Sequence, residues 1–335
     1  MILMRTKIDI IWEELEKTEL SPYPVLMRGY PGKVLAEVYI GLKVHDSQRC
    51  LAVHLDNASL SQVRSLGELE DIKFEVFLDT KNKSKVYLLI LLLEPTLKEI
   101  FSTLCEDLIA SISGIKDERR LVRGLVSRLE KWVSLFIKAK SPGLSQEAQL
   151  GLYGELYFLR KWLLQSNERE KCLKAWVGVE KAVRDFQFGD WALEVKASHG
   201  NNHQKIHISS ERQLDTSNLR NLYLFHLSLD VRQESGETLN SIVDSIVEIL
   251  TEDYVLWSLF QIKLVEAGYI AQHREQYTKK GYYTRNEAFY EVKDAFPRIE
   301  EKDLREGVGD VKYTIISSDC SFYSVDEVQV YQNIN

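Results

Sequence analysis

The sequence has 335 residues, of which 44% are hydrophobic and 28% are charged, a composition ordinary for a folded globular protein. The length exceeds what one compact core usually needs, so we expect more than one domain. Charges at Arg5, Lys7 and Asp9 interrupt any apolar core of a signal peptide. The longest apolar run, residues 86–93, is far shorter than the roughly 20 residues of a membrane span. We therefore expect a cytoplasmic protein that does not enter a membrane.

The balance of charge limits the ways in which this protein can bind nucleic acid. The net charge is −7, whereas sequence-independent binding to nucleic acid depends on basic groups that neutralise phosphates. Basic residues would have to be gathered locally, and tight autonomous binding to DNA is disfavoured. No two cysteines stand in a C-x-x-C spacing, so neither a zinc knuckle nor a redox pair is indicated.

The first part of the chain is predicted to be rich in β-structure. Apolar residues at helical spacing predict a helix over residues 8–15, and alternating or continuous apolar runs predict strands after it. The polar segment 79–85 predicts an exposed hairpin loop between the last two strands. The predicted strands are residues 34–44, 50–55, 72–78 and 86–93. We assign residues 1–95 to a β-rich N-terminal domain.

A helical connector is predicted to follow, over residues 96–140. Pro95 opens a stretch with apolar residues every three to four positions, and a second helix is predicted at 118–138. The segment 138–143 contains Pro142 and Gly143 and breaks the helical pattern, as an exposed connection would. Residues 141–335 then show an α/β order of elements and form the predicted C-terminal domain.

The chemistry of the protein is concentrated in residues 184–196, which read RDFQFGDWALEVK. The Gly189-Asp190 pair suits a two-residue primed turn, so residues 183–188 and 191–197 should form an antiparallel hairpin. In that register Asp185 lies opposite Glu194. Facing carboxylates destabilise a sheet, but a divalent cation held between them turns repulsion into attraction, and magnesium selects oxygen ligands.

The second strand of this hairpin carries an acid and a base on one face. Side chains alternate along a strand, so Glu194 and Lys196 share a face while Leu193 and Val195 can enter the core. A surface hairpin with an ordinary salt bridge is the more common explanation of an isolated E-x-K triplet. The facing Asp185 favours the catalytic explanation.

Upstream, residues 149–159 begin a helix that carries Glu155 within an apolar stripe. Burying an isolated carboxylate is costly, so Glu155 must reach solvent, a basic partner or a metal site. Gly151 and Gly154 would each cost about 1 kcal/mol inside a helix, which predicts a close approach to the neighbouring sheet. The apolar residues on the side of Glu155 are Leu152, Leu159 and Trp162.

A glutamate-bearing helix followed by Asp185 and then Glu194-Val195-Lys196 resembles the PD-(D/E)XK superfamily of restriction-endonuclease-like nucleases. More narrowly, the chain resembles a bacterial family of PD-(D/E)XK members that is often encoded beside restriction and phage-defence genes. Arg184 stands where the superfamily name has proline, a position that does not enter the chemistry. The short strings that carry the resemblance are IWEEL at 11–15, GLYGEL at 151–156, AWVG at 175–178, DF at 185–186, EVK at 194–196, ISS at 208–210, QL at 213–214, YEVK at 290–293 and FPRI at 296–299.

This resemblance implies an α/β (α+β) C-terminal domain with a four-stranded mixed sheet flanked by helices. It implies Asp185 and Glu194 as metal ligands together with the Val195 carbonyl, with Lys196 as the catalytic lysine and Glu155 in support. A strand at 205–208 would follow. Gln213 would open the next helix near the site, although residues 210–213 also form a capping-box pattern, and both explanations stay open.

Two further patterns in the sequence offer alternatives to an active site at the hairpin. Glu291-Val292-Lys293 is a second E-x-K triplet, but no acid is placed opposite it by a tight hairpin, so we assign it a structural role. His199, His203 and His207 are four residues apart, but Gly200 predicts a loop rather than the helix that a zinc triad would need.

The loop after the second strand of the hairpin carries His199, His203 and Lys205. These residues are candidates for contact with the backbone of a nucleic acid. An exposed polar loop without a ligand is the alternative.

The sequence therefore predicts a nuclease that uses Mg²⁺, or Mn²⁺ in its place, to hydrolyse phosphodiester bonds, with double-stranded DNA as the favoured substrate. An endonuclease of restriction or phage defence, working with protein partners, is the leading hypothesis. The alternative is a catalytically inactive nuclease-fold subunit that binds DNA or assembles a defence complex.

Overall fold

The computed structural model describes residues 7–18, 22–32, 34–58, 70–139, 142–200 and 204–335. The chain divides into two compact units, Met1–Ser141 and Pro142–Asn335, and the division lies within the segment that combines Pro142 and Gly143. The fold is mixed α/β, as the sequence predicts. Among the described residues, no helix is long and apolar enough to cross a membrane.

The N-terminal unit is built on an antiparallel sheet, whose described strands follow the order β1-β2-β3-β5-β4. The strand predicted over residues 34–44 starts only at Val38, and a strand that the sequence analysis missed precedes it. The helices predicted as a connector lie in the same unit as this sheet. The elements are α1 (Lys7–Glu16), β1 (Val25–Gly29), β2 (Val38–Lys43), β3 (Gln48–Asp56), β4 (Ile72–Leu78), β5 (Lys85–Leu92), α2 (Lys98–Ile112) and α3 (Glu118–Ala139).

Apolar packing holds this unit together. Trp12 of α1 is fully buried, stacks on Phe101 of α2 with ring centroids 5.6 Å apart, and donates its indole N–H to the carbonyl of Gly41 at 2.8 Å. A buried tryptophan needs such a partner because an unpaired indole N–H costs free energy. Strand β5 is apolar from Val86 to Leu92, as expected for a strand covered on both faces, and its neighbour β3 is buried from Arg49 to Val53.

The C-terminal unit contains a mixed sheet of six strands within its described residues, in the order β10-β11-β9-β7-β6, with β13 paired to β11. β7 and β9 run parallel, and the other neighbours are antiparallel. The elements are α4 (Gln146–Gln165), α5 (Arg169–Ala175), β6 (Phe186–Phe188), β7 (Trp191–His199), β8 (Lys205–Ile208), β9 (Asn221–Gln233), β10 (Glu237–Thr238), α6 (Leu239–Leu250), α7 (Tyr254–Glu266), β11 (Lys280–Glu291), β12 (Tyr313–Ile316), β13 (Ser324–Val325) and α8 (Glu327–Ile334).

This sheet differs in two ways from the four-stranded sheet that the resemblance implies. The two additional strands, β10 and β13, are only two residues long and lie beside β11. The predicted strand at residues 205–208 forms, but it pairs with β12 in a separate two-stranded sheet. The short length of β10 and β13 explains why no alternating pattern in the sequence reveals them.

Helix α4 packs closely on one face of β7. A side-chain carbon added at Gly154 would lie 3.1 Å from Cβ of Ala197 and 3.3 Å from Cγ1 of Val195. The predicted close approach is therefore confirmed for Gly154. It is wrong for Gly151, where such a carbon would meet nothing within 4 Å.

The opposite face of β7 begins with Ala192, which belongs to a buried apolar cluster with Ile206, Ile208, Leu214 and Leu224. Because side chains alternate along a strand, Glu194 and Lys196 are on the same face as Ala192. Glu194 and Lys196 thus lie on the face of β7 where the small β8–β12 sheet packs.

Candidate active site

The hairpin of β6 and β7 has the register that the turn predicts. Phe188 pairs with Trp191 and Phe186 pairs with Leu193, and Gly189 in the turn has a φ of 63°, a conformation that glycine adopts without strain. The first strand is shorter than predicted, because β6 begins at Phe186 rather than at residue 183. Asp185 therefore lies immediately before the strand.

Asp185 is held by hydrogen bonds to backbone amides. Its carbonyl accepts from the amides of Val177 and Gly178, each at 2.9 Å, and its Oδ2 accepts from the amide of Val195 at 2.7 Å. A side-chain carbon on Gly178 would lie 2.9 Å from both Cα and Oδ1 of Asp185. Residue 178 must therefore be glycine for the chain to pass so close to this carboxylate.

Glu194 is a buried acid, with 1% of its surface exposed. Its Oε1 lies 2.8 Å from Nζ of Lys196, and its Oε2 is buried with no hydrogen-bond partner among the described residues. Burial raises the pKa of Glu194 to about 8, the negative charge of Asp185 adds to the rise, and Lys196 opposes it. The protonated form of Glu194 is thus favoured in the metal-free protein relative to that of an exposed glutamate.

Glu155 of α4 also belongs to this group of acids. Its Oε2 accepts a hydrogen bond of 2.6 Å from the indole N–H of Trp176. Burial of the carboxyl group raises the pKa of Glu155 well above its usual value, and Asp185 and Glu194 add to that rise. Burial likewise raises the pKa of Asp185, although Lys196 and the Val195 amide oppose it. Three acids thus repel one another around one lysine.

Lys196 lies between Glu194 and Gln213. Its Nζ donates to Oε1 of Gln213 at 3.0 Å, and the same oxygen accepts from the Ser209 amide at 2.9 Å. Burial by itself would lower the pKa of Lys196, but the charges of Glu194 and Asp185 outweigh it and the pKa is raised. Lys196 therefore stays charged.

The two explanations of Gln213 are not exclusive. Gln213 lies in a short 3-10 helix, Glu211–Leu214, and is its third residue rather than its first. The predicted capping box is replaced by a shifted arrangement, in which Ser210 accepts from the Arg212 amide and Gln213 accepts from the Ser209 amide. One amide oxygen both caps the turn and contacts Lys196.

Arg184 has a structural role that the sequence analysis missed. Its Nε donates to the carbonyl of Gln213 at 3.1 Å, and its Nη2 donates to the carbonyl of Asp215. Its positive charge also opposes the rise in the pKa of Glu194. Arg184, at the position of the superfamily proline, thus connects the segment that carries Gln213 to the start of the hairpin.

The oxygen atoms at this site suit a hard divalent cation. Among the described residues, no group of three or more histidine, cysteine, aspartate or glutamate side chains forms a ready metal site. The donor set predicted from the sequence instead has two carboxylates and one backbone carbonyl. The Val195 amide donates to Oδ2 of Asp185, so the backbone of Val195 lies beside one of the two carboxylates. Carboxylate and carbonyl oxygens are the hard donors that Mg²⁺ prefers.

The candidate nucleic-acid contacts lie beyond this group. His199 at the end of β7 and Lys205 at the start of β8 are both exposed, and His203 lies outside the described residues. His207, the third histidine of the pattern, contacts Thr314 Oγ1 of β12 through its Nδ1 at 2.9 Å.

The second E-x-K triplet is a surface ion pair. Glu291 is the last residue of β11, and its Oε2 lies 2.5 Å from Nζ of Lys293, whose side chain is 54% exposed. An exposed pair of this kind contributes little to stability and needs no catalytic explanation.

A family model described as "Putative PD-(D/E)XK family member, (DUF4420)" matches residues 8–318. The chain belongs to this family. No curated protein and no solved structure matches the chain. Membership of a PD-(D/E)XK family indicates a nuclease-like function.

Proposed function

We propose that this protein is a Mg²⁺-dependent nuclease that hydrolyses phosphodiester bonds of double-stranded DNA, as an endonuclease of restriction or phage defence. The observation that carries the proposal is the buried Glu194, whose Oε1 pairs with Lys196 while its Oε2 has no partner among the described residues. Buried polar atoms in folded proteins are normally satisfied, so an unpaired carboxylate oxygen beside two further acids marks a place for a cation.

In this proposal the ligands are Asp185, Glu194 and the Val195 carbonyl. Mg²⁺ bound there, or Mn²⁺ in its place, supplies a water of lowered pKa and stabilises the charge that develops on the phosphate. Asp185 is oriented by the Val195 amide, and Glu194 is oriented by Lys196. Both acids must be deprotonated to act as ligands, so their raised pKa values make binding of the ion compete with protons.

Lys196 is the catalytic lysine of the proposal. Its raised pKa keeps the ammonium charged, and Glu194 and Gln213 fix it from two sides. A charged group held in this way can orient the attacking water or a non-bridging phosphate oxygen without reorganising during the reaction. Glu155 supports the group from the neighbouring helix, because its ionised form favours the protonated form of Lys196.

The substrate would extend from the hairpin toward the residues that follow β7. His199 and Lys205 are exposed there, and with His203 they are the candidate contacts to the phosphate backbone. The net charge of −7 limits the affinity that this chain can reach alone. Protein partners of a restriction or defence system would then supply part of the binding to DNA.

The proposal is tested by Mg²⁺-dependent cleavage of supercoiled plasmid, linear duplex, single-stranded DNA and RNA. Asp185→Ala and Glu194→Ala should each reduce the rate by orders of magnitude, because each removes a ligand that stabilises transition-state charge. Glu291→Ala alters the second E-x-K triplet and should cleave like the wild type. Circular dichroism should show that all three variants fold.

A wild-type protein that cleaves none of these substrates would be assayed again together with its natural partners, by cleavage and by protection against phage. Unchanged cleavage or protection in the Asp185→Ala, Lys196→Ala double variant would contradict the proposal. That result would support the alternative, a catalytically inactive nuclease-fold subunit that binds DNA or assembles a defence complex.

A further inference from the structure

Trp176 contacts one acid of the proposed site, Glu155, and the two residues that follow it contact another, Asp185. The side chain is fully buried, and its indole N–H donates to Oε2 of Glu155 at 2.6 Å. The next two amides, those of Val177 and Gly178, donate to the carbonyl of Asp185. The AWVG string at residues 175–178, which the sequence offered only as part of a resemblance, thus fixes two acids of the site at once.

Lys263 of α7 anchors the segment that follows α5, residues 176–180, to α7. Its side chain is buried, with 3% of the residue exposed, and its Nζ donates to the carbonyl of Trp176 at 2.6 Å and to Oε1 of Glu180 at 2.8 Å. A buried ammonium group is costly unless it is paired, so these two contacts pin the segment to the helix. The Trp176 ring also packs near Phe260 of α7, with centroids 6.2 Å apart.

We propose that Trp176 and Lys263 are positioning residues of the nuclease site, and this inference rests on the function proposed above. Lys263 fixes the backbone of Trp176, and the Trp176 indole fixes the Glu155 carboxyl group against the repulsion of Asp185 and Glu194. We name the chain of contacts from Lys263 through Trp176 to Glu155 the indole strut.

The surroundings of its acceptor set Trp176 apart from other buried tryptophans. A core tryptophan needs only some acceptor for its N–H, which is a backbone carbonyl for Trp12 and a carboxylate for Trp132. The acceptor of Trp176 is the buried carboxyl group of Glu155, whose pKa is raised by burial and by the two neighbouring acids of the proposed site. Loss of the indole donor would leave that carboxyl oxygen buried and unpaired, and Glu155 would turn or take up a proton.

The test separates the N–H group from the bulk of the ring. Trp176→Phe keeps an aromatic side chain and removes the donor, and we expect kcat to fall about 10- to 100-fold with KM for DNA unchanged, as for other residues that orient a catalytic group. Trp132→Phe is the matched control, because Trp132 in the N-terminal unit is equally buried and donates to Asp107 Oδ2 at 2.7 Å. An equal loss of kcat in Trp132→Phe would overturn the inference.

A double-mutant cycle tests whether Trp176 acts through Glu155. If it does, Trp176→Phe should cause little further loss once Glu155→Gln is present, because the interaction is already broken. Lys263→Met should lower kcat in the same way and should also be non-additive with Glu155→Gln. Additive losses in either cycle would mean that the residues do not act through Glu155, and the indole strut would be rejected.

A second readout does not depend on cleavage. In the metal-free protein the indole ¹⁵N–¹H signal of Trp176, assigned by its loss in Trp176→Phe, should move in Glu155→Gln and in Lys263→Met. The Trp132 signal should stay in place in both variants. A Trp176 signal that is insensitive to Glu155→Gln would overturn the inference even for an active nuclease. A shift in a protein that cleaves nothing would uphold the contacts while the proposed function failed.

Discussion

The ammonium nitrogen of Lys196 lies 3.0 Å from Oε1 of Gln213, and the two residues are 17 positions apart in the chain. On its other side the same nitrogen lies 2.8 Å from Oε1 of Glu194. The lysine is therefore fixed between a carboxylate and an amide rather than left to reach for solvent. A charged group held by two partners is pre-organised for a role in catalysis.

We predict that Gln213→Ala lowers kcat about 10- to 100-fold, because Lys196 loses one of the two groups that orient it. Steady-state cleavage kinetics at saturating Mg²⁺ measure the effect. Gln149→Ala is a suitable control, since the side-chain amide of Gln149 is also hydrogen-bonded but donates to the Leu144 carbonyl just before α4. Activity of Gln213→Ala equal to that of Gln149→Ala would leave Gln213 with a capping role only.

We predict that the metal-free protein loses stability as the pH rises from about 5 to 8. The folded-state pKa of Glu194 is raised from 4.5 to about 8, so the folded state retains a proton that the unfolded state has already released. This contribution is fully present below pH 4.5 and is lost as the pH rises through the folded-state pKa. One pKa unit corresponds to about 1.4 kcal/mol, so the free energy of unfolding should change by a few kcal/mol.

Denaturant unfolding in the presence of a chelator, at several pH values, measures this dependence. Glu194→Gln should reduce the slope because the amide does not titrate, whereas Glu291→Gln should leave it close to that of the wild type. An unchanged slope in Glu194→Gln would show that Glu194 does not hold a proton in the folded protein.

We predict that Mg²⁺ stabilises the protein, and more strongly at pH 8.5 than at pH 6. A ligand that binds only the folded state stabilises it by about 2.7 kcal/mol at a hundredfold excess over its Kd, and protons on Glu194 and Asp185 compete with the ion. Thermal unfolding with Mg²⁺ or with chelator provides the comparison. Asp185→Asn should abolish the stabilisation at both pH values. A Mg²⁺-dependent increase in Tm that survives this substitution would place the ion elsewhere.

We predict opposite effects for two alanine substitutions in α4. Gly151→Ala should raise the free energy of unfolding by about 0.5–1 kcal/mol, because the added carbon meets no atom within 4 Å and alanine favours the helix. Gly154→Ala should lower it by about 1–3 kcal/mol, because the carbon crowds Ala197 of β7. Denaturant unfolding measures the free energy of unfolding of both variants. A stabilised Gly154→Ala variant would mean that α4 can move away from the sheet.

The sequence by itself determined the local geometry of the site. The Gly189-Asp190 turn joins two strands directly, so turn chemistry and alternation were enough to set Phe188 opposite Trp191. Alternation likewise put Glu194 and Lys196 on one face of β7. These features involve residues close in the chain, whose geometry depends on the backbone between them and little on the rest of the fold.

Only the tertiary structure decided which groups meet these residues. An apolar stripe containing Glu155 showed that the acid needs a partner, but not that the partner is the indole of Trp176, 21 residues away. The contact of Lys263 with the Trp176 carbonyl spans 87 residues. Alternation and helical periodicity tell which face of an element is covered, whereas the identity of the covering residue depends on how distant elements pack, and no local pattern encodes it.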